Sequence, residues 1–252
     1  MNIVVVGYGA MGIQLVEKIG TTTGYTLVGV VDKQSNLGVN SFADLKSVPD
    51  VIIDFSHPSY LNEMLDYACD NKVGLVIATT GFNAKELQEI KTASKLIPIL
   101  QTSNTSLGVN LLLEVIKQIT PVLEEFDIEV IEKHHNKKID SPSGTAKVLV
   151  EELLQNSNKT RTVHGRNGFE KRESNEIGVH AVRGGTIPGE HTIIYAGEDE
   201  IIEIKHSALS KQVFVTGALK AADYITSADS GLYTMSNVLM NKGEYNGRKR
   251  NH

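Results

Sequence analysis

The feature that most constrains this chain is a glycine-rich turn near its start, Gly7-Tyr8-Gly9-Ala10-Met11-Gly12, which has the spacing G-x-G-x-x-G. It follows an apolar stretch over residues 2–6 and opens a helical pattern over residues 11–19, the context that a dinucleotide-binding turn requires. The first glycine permits the tight turn, the second lets the backbone approach a pyrophosphate, and the third lets helix and strand pack closely. Three glycines can also be ordinary loop residues, but this context favours a dinucleotide site.

The rest of the first hundred residues alternates short apolar segments with helical patterns. The apolar segments are rich in Val and Ile and continuous, as parallel strands covered on both faces are. Their alternation with helices predicts a parallel sheet with right-handed crossovers. The predicted strands are residues 2–6, 27–31, 51–55, 73–78 and 97–100, and the predicted helices are residues 11–19, 59–70 and 84–94.

The pattern changes after about residue 106. Ile202 and Ile204 alternate with Glu203 and Lys205, which indicates a mixed or antiparallel sheet with one apolar face. An Ala-rich helix over residues 211–225 is expected to return to the first domain. The other predictions here are helices 107–123 (with Pro121 shortening its end) and 145–154, strands 127–132, 177–183, 192–196 and 201–206, and a polar mobile loop over 155–174.

These patterns predict an α/β protein of two domains. The first is a Rossmann-like, dinucleotide-binding domain with a parallel sheet, formed by residues 1–106 and 217–252. The second is a smaller α+β domain with a mixed sheet, residues 107–216, for substrate binding and oligomerisation. If each domain holds one ligand, the two domains must close to bring the ligands together.

Composition excludes several classes of protein. Of 252 residues, 40% are hydrophobic and 22% are charged, which is typical of a folded globular chain. The net charge of −5 provides no general attraction to nucleic acid or anionic membrane. We see no secretory signal and no apolar run long enough to span a membrane, and Cys69 has no partner for an internal disulfide, so a cytoplasmic protein is expected. The polar, basic tail over residues 242–252 is expected to be frayed.

Residues at the strand ends extend the predicted cofactor site. Asp32 ends the second predicted strand and is expected to accept hydrogen bonds from the adenosine ribose, which favours NAD. Lys33 follows it and either pairs with the 2′-phosphate of NADP or is a solvated lysine, so both NADH and NADPH are expected to be usable. Small polar residues and a glycine follow other predicted strands, and they suit close contact with a ribose and with the carboxamide of the nicotinamide. They are Thr79, Thr80, Gly81, Thr102, Ser103, Asn104 and Thr105.

The densest polar stretch covers residues 132–145, between a predicted strand and a predicted helix. It contains His134, His135, three lysines and, at the helix start, Ser143-Gly144-Thr145, where backbone N–H groups and the helix dipole favour an anion. Histidine is the natural proton donor near neutral pH, and lysine supplies charge for a carboxylate. The stretch predicts a site for a small di-anionic substrate beside a hydride donor. A basic solvated loop is the alternative; a metal site is not expected, because adjacent histidines on a strand point in opposite directions.

Residues 133–146, KHHNKKIDSPSGTA, resemble the signature E-x-H-H-x-x-K-x-D-x-P-S-G-T-A of the dihydrodipicolinate reductase family. The resemblance covers nearly the whole chain, including the glycine turn and segments 54–56, 78–81, 104–110, 183–186 and 189–191. It implies NAD(P)H-dependent reduction of 4-hydroxy-tetrahydrodipicolinate, through its dehydrated cyclic imine, to tetrahydrodipicolinate in the diaminopimelate route to lysine. It also implies a homotetramer joined through the sheets of the second domains.

The resemblance further implies roles for individual residues. His134 would be the proton donor and Lys138 its partner, which binds a carboxylate and stabilises negative charge, while His135, Gly144 and Thr145 would contact the substrate carboxylate. The sequence departs from many relatives at Lys33, where they have arginine, and at Thr105, where they have an aromatic residue near the nicotinamide.

Two other functions remain open on the residues alone. A related two-domain enzyme, such as an amino-acid dehydrogenase acting on aspartate, would share the glycine turn, but the cluster at residues 134–145 argues against it. A non-catalytic dinucleotide sensor would also need the turn, but it would have no use for His134 and Lys138 beside an anion-binding helix start.

Overall fold

The structure, a computed structural model, describes residues 1–35 and 38–240. The chain forms two compact units: Met1–Leu107 together with the described residues from Gln212 onward, and Gly108–Lys211. Among these described residues, no helix has the length and apolar character that crossing a membrane requires. The tail expected to be frayed, residues 242–252, lies outside the described residues.

Strands and helices alternate through the first unit, as the apolar periodicity predicts. Every strand pairing in its sheet is parallel, so the prediction of a Rossmann-like parallel sheet is confirmed. Its elements are β1 (Asn2–Val6), α1 (Ala10–Thr21), β2 (Thr26–Val31), β3 (Val51–Asp54), α2 (Leu61–Asn71), β4 (Gly74–Ile77), α3 (Ala84–Ala93) and β5 (Pro98–Gln101).

The second unit begins with α4 and carries the other sheet. β6 is parallel to β8 and antiparallel to β9, which confirms the predicted mixed sheet. The elements of this unit are α4 (Leu107–Ile119), β6 (Asp127–His134), α5 (Gly144–Gln155), β7 (Arg161–His164), β8 (Glu176–Arg183), β9 (Glu190–Ala196) and β10 (Ile201–Ser207), in the sheet order β10-β9-β6-β8-β7.

The chain then returns to the first unit through α6 (Gln212–Ile225), β11 (Gly231–Tyr233) and α7 (Met235–Met240). β11 pairs with β5, so the order of the first sheet is β11-β5-β4-β3-β1-β2. The chain moves to opposite sides of β1, to β2 and then to β3, which makes the carboxyl end of β1 a topological switch point. Ligands of open α/β sheets bind at this kind of position, and the glycine turn follows β1 there.

Burial on both faces explains why the strands of the first sheet are continuously apolar. Ile3 and Val5 of β1 belong to a core with residues of α1 and α6, while Val4 and Val6 belong to a second core with residues of α2. Helices therefore cover both faces of this sheet. The sheet of the second unit has one apolar core instead, on the face where α4 and α5 pack, which gives its strands the alternating pattern.

The prediction of a polar mobile loop over residues 155–174 is wrong for Arg161–His164, which form β7. β7 is an edge strand with little buried apolar surface, so its sequence lacks a strand signature. Ion pairs stabilise this edge of the sheet instead, because Arg161 and Arg166 both pair with Glu176, whose side chain is buried. The short elements β11 and α7 were not predicted either, because three- and six-residue segments carry too little periodicity.

Close packing of α6 against the segment after β5 requires a glycine. A Cβ added at Gly217 would lie 1.7 Å from the carbonyl oxygen of Thr105, and the Thr105 hydroxyl donates a hydrogen bond to the Phe214 carbonyl at 2.7 Å. By contrast, a Cβ at Gly20, in α1, would meet no atom within 4 Å. Gly217 is therefore a buried contact point in the middle of α6, whereas Gly20 is exposed near the end of α1.

We expect Gly217→Ala to lower the free energy of unfolding by about 1–3 kcal/mol, because the added methyl forces α6 away from Thr105. Gly20→Ala is the matched control and should raise it by about 0.5 kcal/mol, because alanine is the better helix former. Urea denaturation followed by circular dichroism would measure both. Equal stability of the two variants would contradict this account of α6.

Candidate functional site

The glycine turn has the geometry of a phosphate-binding turn. Gly7 has a φ of +88°, and a Cβ there would lie 2.6 Å from the Phe55 carbonyl oxygen; a Cβ at Gly12 would lie 1.9 Å from the carbonyl oxygen of Gly7. A Cβ at Gly9 would meet no atom within 4 Å. Gly7 and Gly12 are thus required by packing, whereas Gly9 borders open space. Gly9 is also the N-cap of α1 and makes no side-chain capping bond, which leaves the helix N-terminus suited to an anion.

Asp32 lies beside this turn. Its Oδ2 accepts a hydrogen bond from the Tyr8 backbone N–H at 2.5 Å, and its Oδ1 accepts one from the Gln34 N–H at 2.7 Å. Each carboxylate oxygen can accept a further bond. Asp32 is therefore held rigidly at the glycine turn, with capacity left for ribose hydroxyls.

Residues after β4 and β5 form a cleft of about 290 Å³ in the first unit. Of the residues predicted for the cofactor, Thr79, Thr80, Gly81, Thr102 and Ser103 line it, together with Phe82, Leu87 and Gln101. The carboxyl ends of neighbouring parallel strands bring these segments together.

Asn104 and Thr105 are not among the residues lining this cleft. Asn104 uses its Oδ1 to accept the Ser106 N–H, and Thr105 is buried with its hydroxyl bonded to Phe214. The structure thus gives Thr105 a packing role under α6, whereas the sequence predicted a cofactor contact. The packing partner comes from a segment more than a hundred residues away, which no local pattern reveals.

A buried aspartate connects β3 to this region. Asp54 is 1% exposed and accepts hydrogen bonds from both the N–H and the hydroxyl of Ser56, whose N–H also contacts Thr79 Oγ1 at 2.9 Å. Burial raises the pKa of Asp54 to about 6, although hydrogen bonds from Ser56 and Thr79 act in the opposite direction. Asp54 therefore fixes the loop between β3 and the cleft.

The second candidate region centres on Glu132, near the end of β6. Its side chain is fully buried and accepts hydrogen bonds from both terminal nitrogens of Arg183 at 2.7 Å, from the Ser143 N–H at 3.0 Å, and from His134 Nδ1 at 2.7 Å. Burial acts to raise the pKa of Glu132, but the bonds from Arg183, His134 and Ser143 outweigh it and hold the pKa below its ordinary value. Glu132 therefore stays ionised and joins β6, β8 and the start of α5.

His134 is oriented by this carboxylate. An ionised carboxylate only accepts hydrogen bonds, so the Nδ1 of His134 carries a proton and Nε2 is the nitrogen left for proton transfer. A Cβ at Gly189 would lie 3.1 Å from Nε2, so glycine at that position leaves space beside this atom. Such a carboxylate–histidine pair fixes the tautomer and the orientation of the ring.

Ser143 and His191 form a second buried pair. The Ser143 hydroxyl accepts the Ala146 N–H, which caps α5, and contacts His191 Nε2 at 2.9 Å. The tautomer of His191 sets which of these two groups donates, and the other ring nitrogen, Nδ1, is buried without a hydrogen-bond partner among the described residues. Burial, followed by the neighbouring His134, lowers the pKa of His191 to about 4. Ser143 was predicted to contact substrate, but its hydroxyl is buried and occupied by these partners.

Lys138 lies in the turn between β6 and α5. Its Nζ pairs with Asp140 Oδ1 at 2.7 Å, and the Asp140 carbonyl accepts a hydrogen bond from Arg183 at 2.8 Å. The turn that carries Lys138 is therefore attached to the same arginine that binds Glu132. Gly144 and Thr145 form the first turn of α5, and the space where a Gly144 Cβ would point is open.

Sequence reasoning missed Glu132, Arg183 and His191 as site residues. The signal for Glu132 was its position two residues before His134, on the same face of a strand. Arg183 and His191 stand in segments that the family resemblance covers, but strand register determines which residues lie beside them. His134 is opposite Arg183 across β6 and β8, and Glu132 is opposite His191 across β6 and β9.

Comparison with known families gives two matches that together cover most of the chain. The family model described as "Dihydrodipicolinate reductase, N-terminus" matches residues 1–105, and the one described as "Dihydrodipicolinate reductase, C-terminus" matches residues 108–239.

Individual relatives agree with these matches. The chain is 44% identical over 242 residues to a 4-hydroxy-tetrahydrodipicolinate reductase of Clostridium novyi, which covers 93% of this chain and 96% of the relative. It is 45% identical over 243 residues to one of Exiguobacterium sibiricum, with coverage of 94% and 96%. Among solved structures, the fold is similar to a dipicolinate-bound dihydrodipicolinate reductase from Paenisporosarcina sp. TG-14, with a TM-score of 0.77 at 21% identity over 93% of this chain and 97% of that chain.

We expect Glu132→Gln to lower the free energy of unfolding by about 3 kcal/mol, because it leaves the Arg183 charge without its partner in a largely buried site. This loss in the free energy of unfolding should have its full size above about pH 4.3, the pKa of glutamate in an unfolded chain. It should shrink as the pH falls through the lowered pKa that Glu132 has in the folded protein. Denaturant titrations across this pH range would measure it. Glu190→Gln, which loses only the half-exposed Lys133 and Lys205, should cost less than about 1 kcal/mol; similar losses in both variants would refute the assignment.

The lowered pKa of His191 predicts acid sensitivity. Between about pH 6.5 and pH 4 the unfolded chain binds a proton at this residue and the folded chain does not, so the stability of the fold falls as pH falls. We expect His191→Gln, whose amide can still form a hydrogen bond with the Ser143 hydroxyl, to reduce the stability loss between pH 7.5 and pH 5 by up to about 2 kcal/mol. The control, exposed His164→Gln, should follow wild type; equal pH slopes for all three proteins would count against a buried neutral His191.

Proposed function

The chain belongs to the dihydrodipicolinate reductase family, and on that premise we propose that it reduces 4-hydroxy-tetrahydrodipicolinate, through its dehydrated form, to tetrahydrodipicolinate with NADH or NADPH. This is the reduction step of the diaminopimelate route to lysine. The observation that supports the proposal best is the cluster in which the buried Glu132 orients His134 beside the start of α5. It provides a proton donor and an anion site within one unit.

In this proposal the first unit binds the dinucleotide. The uncapped start of α1 and the glycine turn would hold the phosphates, Asp32 the adenosine ribose, and the cleft lined by Thr79 and Thr102 the nicotinamide half. The open space at Gly9, where any side chain would stand in the way of a pyrophosphate, fits this group. When bound, the reduced nicotinamide supplies the hydride.

The second unit would bind the substrate and supply the proton. Hydride addition to the ring of dihydrodipicolinate leaves negative charge on the substrate, and the Nε2–H of protonated His134 neutralises it by proton transfer. The buried Glu132 would hold the ring through Nδ1 and keep Nε2 directed away from the carboxylate. The net addition of one hydride and one proton balances the reduction.

Charge and backbone donors around His134 suit a dicarboxylate. Lys138, His135, Gly144 and Thr145 would bind the carboxylates, with Lys138 contributing a fixed positive charge and the α5 start contributing its dipole. In the free protein Asp140 pairs with Lys138, which holds the ammonium group at the end of the turn.

We also infer a cytoplasmic homotetramer. On the outer face of the mixed sheet in the second unit, Val182 and Ile201 are 43% and 66% exposed, on the same face as the charged Glu203 and Lys205. Exposed apolar side chains on such a face suit an interface with further copies of the chain.

The decisive test is an assay of NADH and NADPH oxidation by the pure protein with enzymatically generated substrate. We expect turnover by wild type, and a decrease in kcat of about 100-fold or more in His134→Gln and in Lys138→Met, the scale at which a general acid or a charge-stabilising group contributes. Lys137→Met is the matched control, because this exposed neighbour of Lys138 has no assigned role.

Absence of turnover by the folded wild-type protein would contradict the proposed function. Near wild-type rates in both the His134 and Lys138 variants would remove these two roles while leaving the function in place.

A further inference from the structure

The charge environment of Lys33 bears on which dinucleotide the protein prefers. Lys33 directly follows Asp32, which is anchored to the glycine turn through the Tyr8 N–H. In dinucleotide-binding sheets the acid at the end of the second strand contacts the 2′-hydroxyl, and a neighbouring cation accommodates the 2′-phosphate of NADP. Lys33 stands at the position of that cation.

In this structure Lys33 already has an anionic partner. Its Nζ lies 3.0 Å from Glu63 Oε2 and 5.1 Å from the centre of the Tyr60 ring, while its backbone N–H donates to the Tyr60 hydroxyl at 2.7 Å. The lysine is therefore held by α2 and the turn before it, at its charged end and at its backbone.

Glu63 is itself fixed in place. Its Oε1 accepts hydrogen bonds from the Ser41 hydroxyl at 2.7 Å and from the Phe42 N–H at 3.1 Å, so that Oε2 is directed at Lys33. Burial acts to raise the pKa of Glu63, but the bonds from Ser41 and Lys33 outweigh it and keep the pKa below its ordinary value. Glu63 also lies in the first turn of α2, where the helix dipole favours a carboxylate.

We infer that Glu63 is a specificity-determining residue, which neutralises Lys33 and makes NADH the tighter-binding cofactor. Asp32 and Glu63 carry two negative charges against the one positive charge of Lys33, so a 2′-phosphate would meet excess negative charge. The 2′-hydroxyl of NADH carries no charge and needs only the acceptor that Asp32 provides. The inference rests on the proposed binding of a dinucleotide at the glycine turn, and it goes beyond it by assigning the preference to one residue of α2.

Calorimetric titration of the full chain with NADH and with NADPH, without substrate, tests the inference; heat is the suitable signal because the chain has no tryptophan. Wild type should bind NADH more tightly. Glu63→Gln keeps an acceptor for Ser41 and Phe42 but removes the charge, and should tighten NADPH binding about tenfold, the effect of one nearby charge at a partly exposed site. Its affinity for NADH should change less than about threefold.

Two further variants make the test specific. Glu89→Gln removes another carboxylate of the same unit that pairs with a lysine, Lys85, and should leave both affinities unchanged. Lys33→Met in the Glu63→Gln background should abolish the gain for NADPH, because the gain depends on the freed ammonium group.

The outcomes separate this inference from the proposed function. If wild type prefers NADPH, or if Glu63→Gln binds NADH normally with an unchanged ratio of the two affinities, the role of Glu63 is refuted and the reductase assignment stands. Binding of neither dinucleotide would overturn both.

Discussion

The buried carboxylate of Glu132 is the interaction on which the candidate active site depends. Removing an ionised carboxylate from water costs several kcal/mol, which only close donors can offset. Arg183 provides a bidentate contact from β8, Ser143 a backbone N–H from the start of α5, and His134 a ring N–H from β6 itself. These donors come from three elements, so the requirement to satisfy one charge brings the three elements together. The orientation of His134 is a consequence of the same requirement.

The inner face of the mixed sheet shows why the site lies at one end of it. Across β8, β6 and β9, one row contains Val179, Val130 and Ile193, which pack in the apolar core. Two residues further along β6, Glu132 stands beside His191. The sheet thus changes from apolar to polar within about 7 Å, the length of two residues in a strand. α5 covers the apolar rows, and its N-cap, Ser143, lies against the polar ones.

Sequence periodicity predicted those parts of the molecule in which local pattern and tertiary burial agree. Strands β1 to β5 of the first sheet were recognised because helices cover both faces, and the glycine turn because Gly7 and Gly12 each meet a backbone carbonyl at close range. Local sequence patterns do not predict a residue's environment where segments distant in the chain form that environment. The contact of Thr105 with α6 has no local signature, and β7 lacks a strand pattern because ion pairs between arginines and Glu176 hold it in place. Strand register, which pairs His134 with Arg183, has no local signature either.

The two helix starts proposed as anion sites differ in a way that suits the different ligands proposed for them. At α1 the N-cap is Gly9, which has no side chain to occupy the helix N–H groups, and the space beside it is open. A diphosphate, with several charged oxygens, can use donors left unoccupied in this way. At α5 the Ser143 hydroxyl already accepts from Ala146, so part of the donor capacity is used within the protein. A single carboxylate needs fewer donors, and Lys138 adds charge that the backbone alone does not provide. The identity of the N-cap residue therefore separates the two proposed sites. Ser143 suits the start of α5 to a small anion, and Gly9 suits the start of α1 to a dinucleotide.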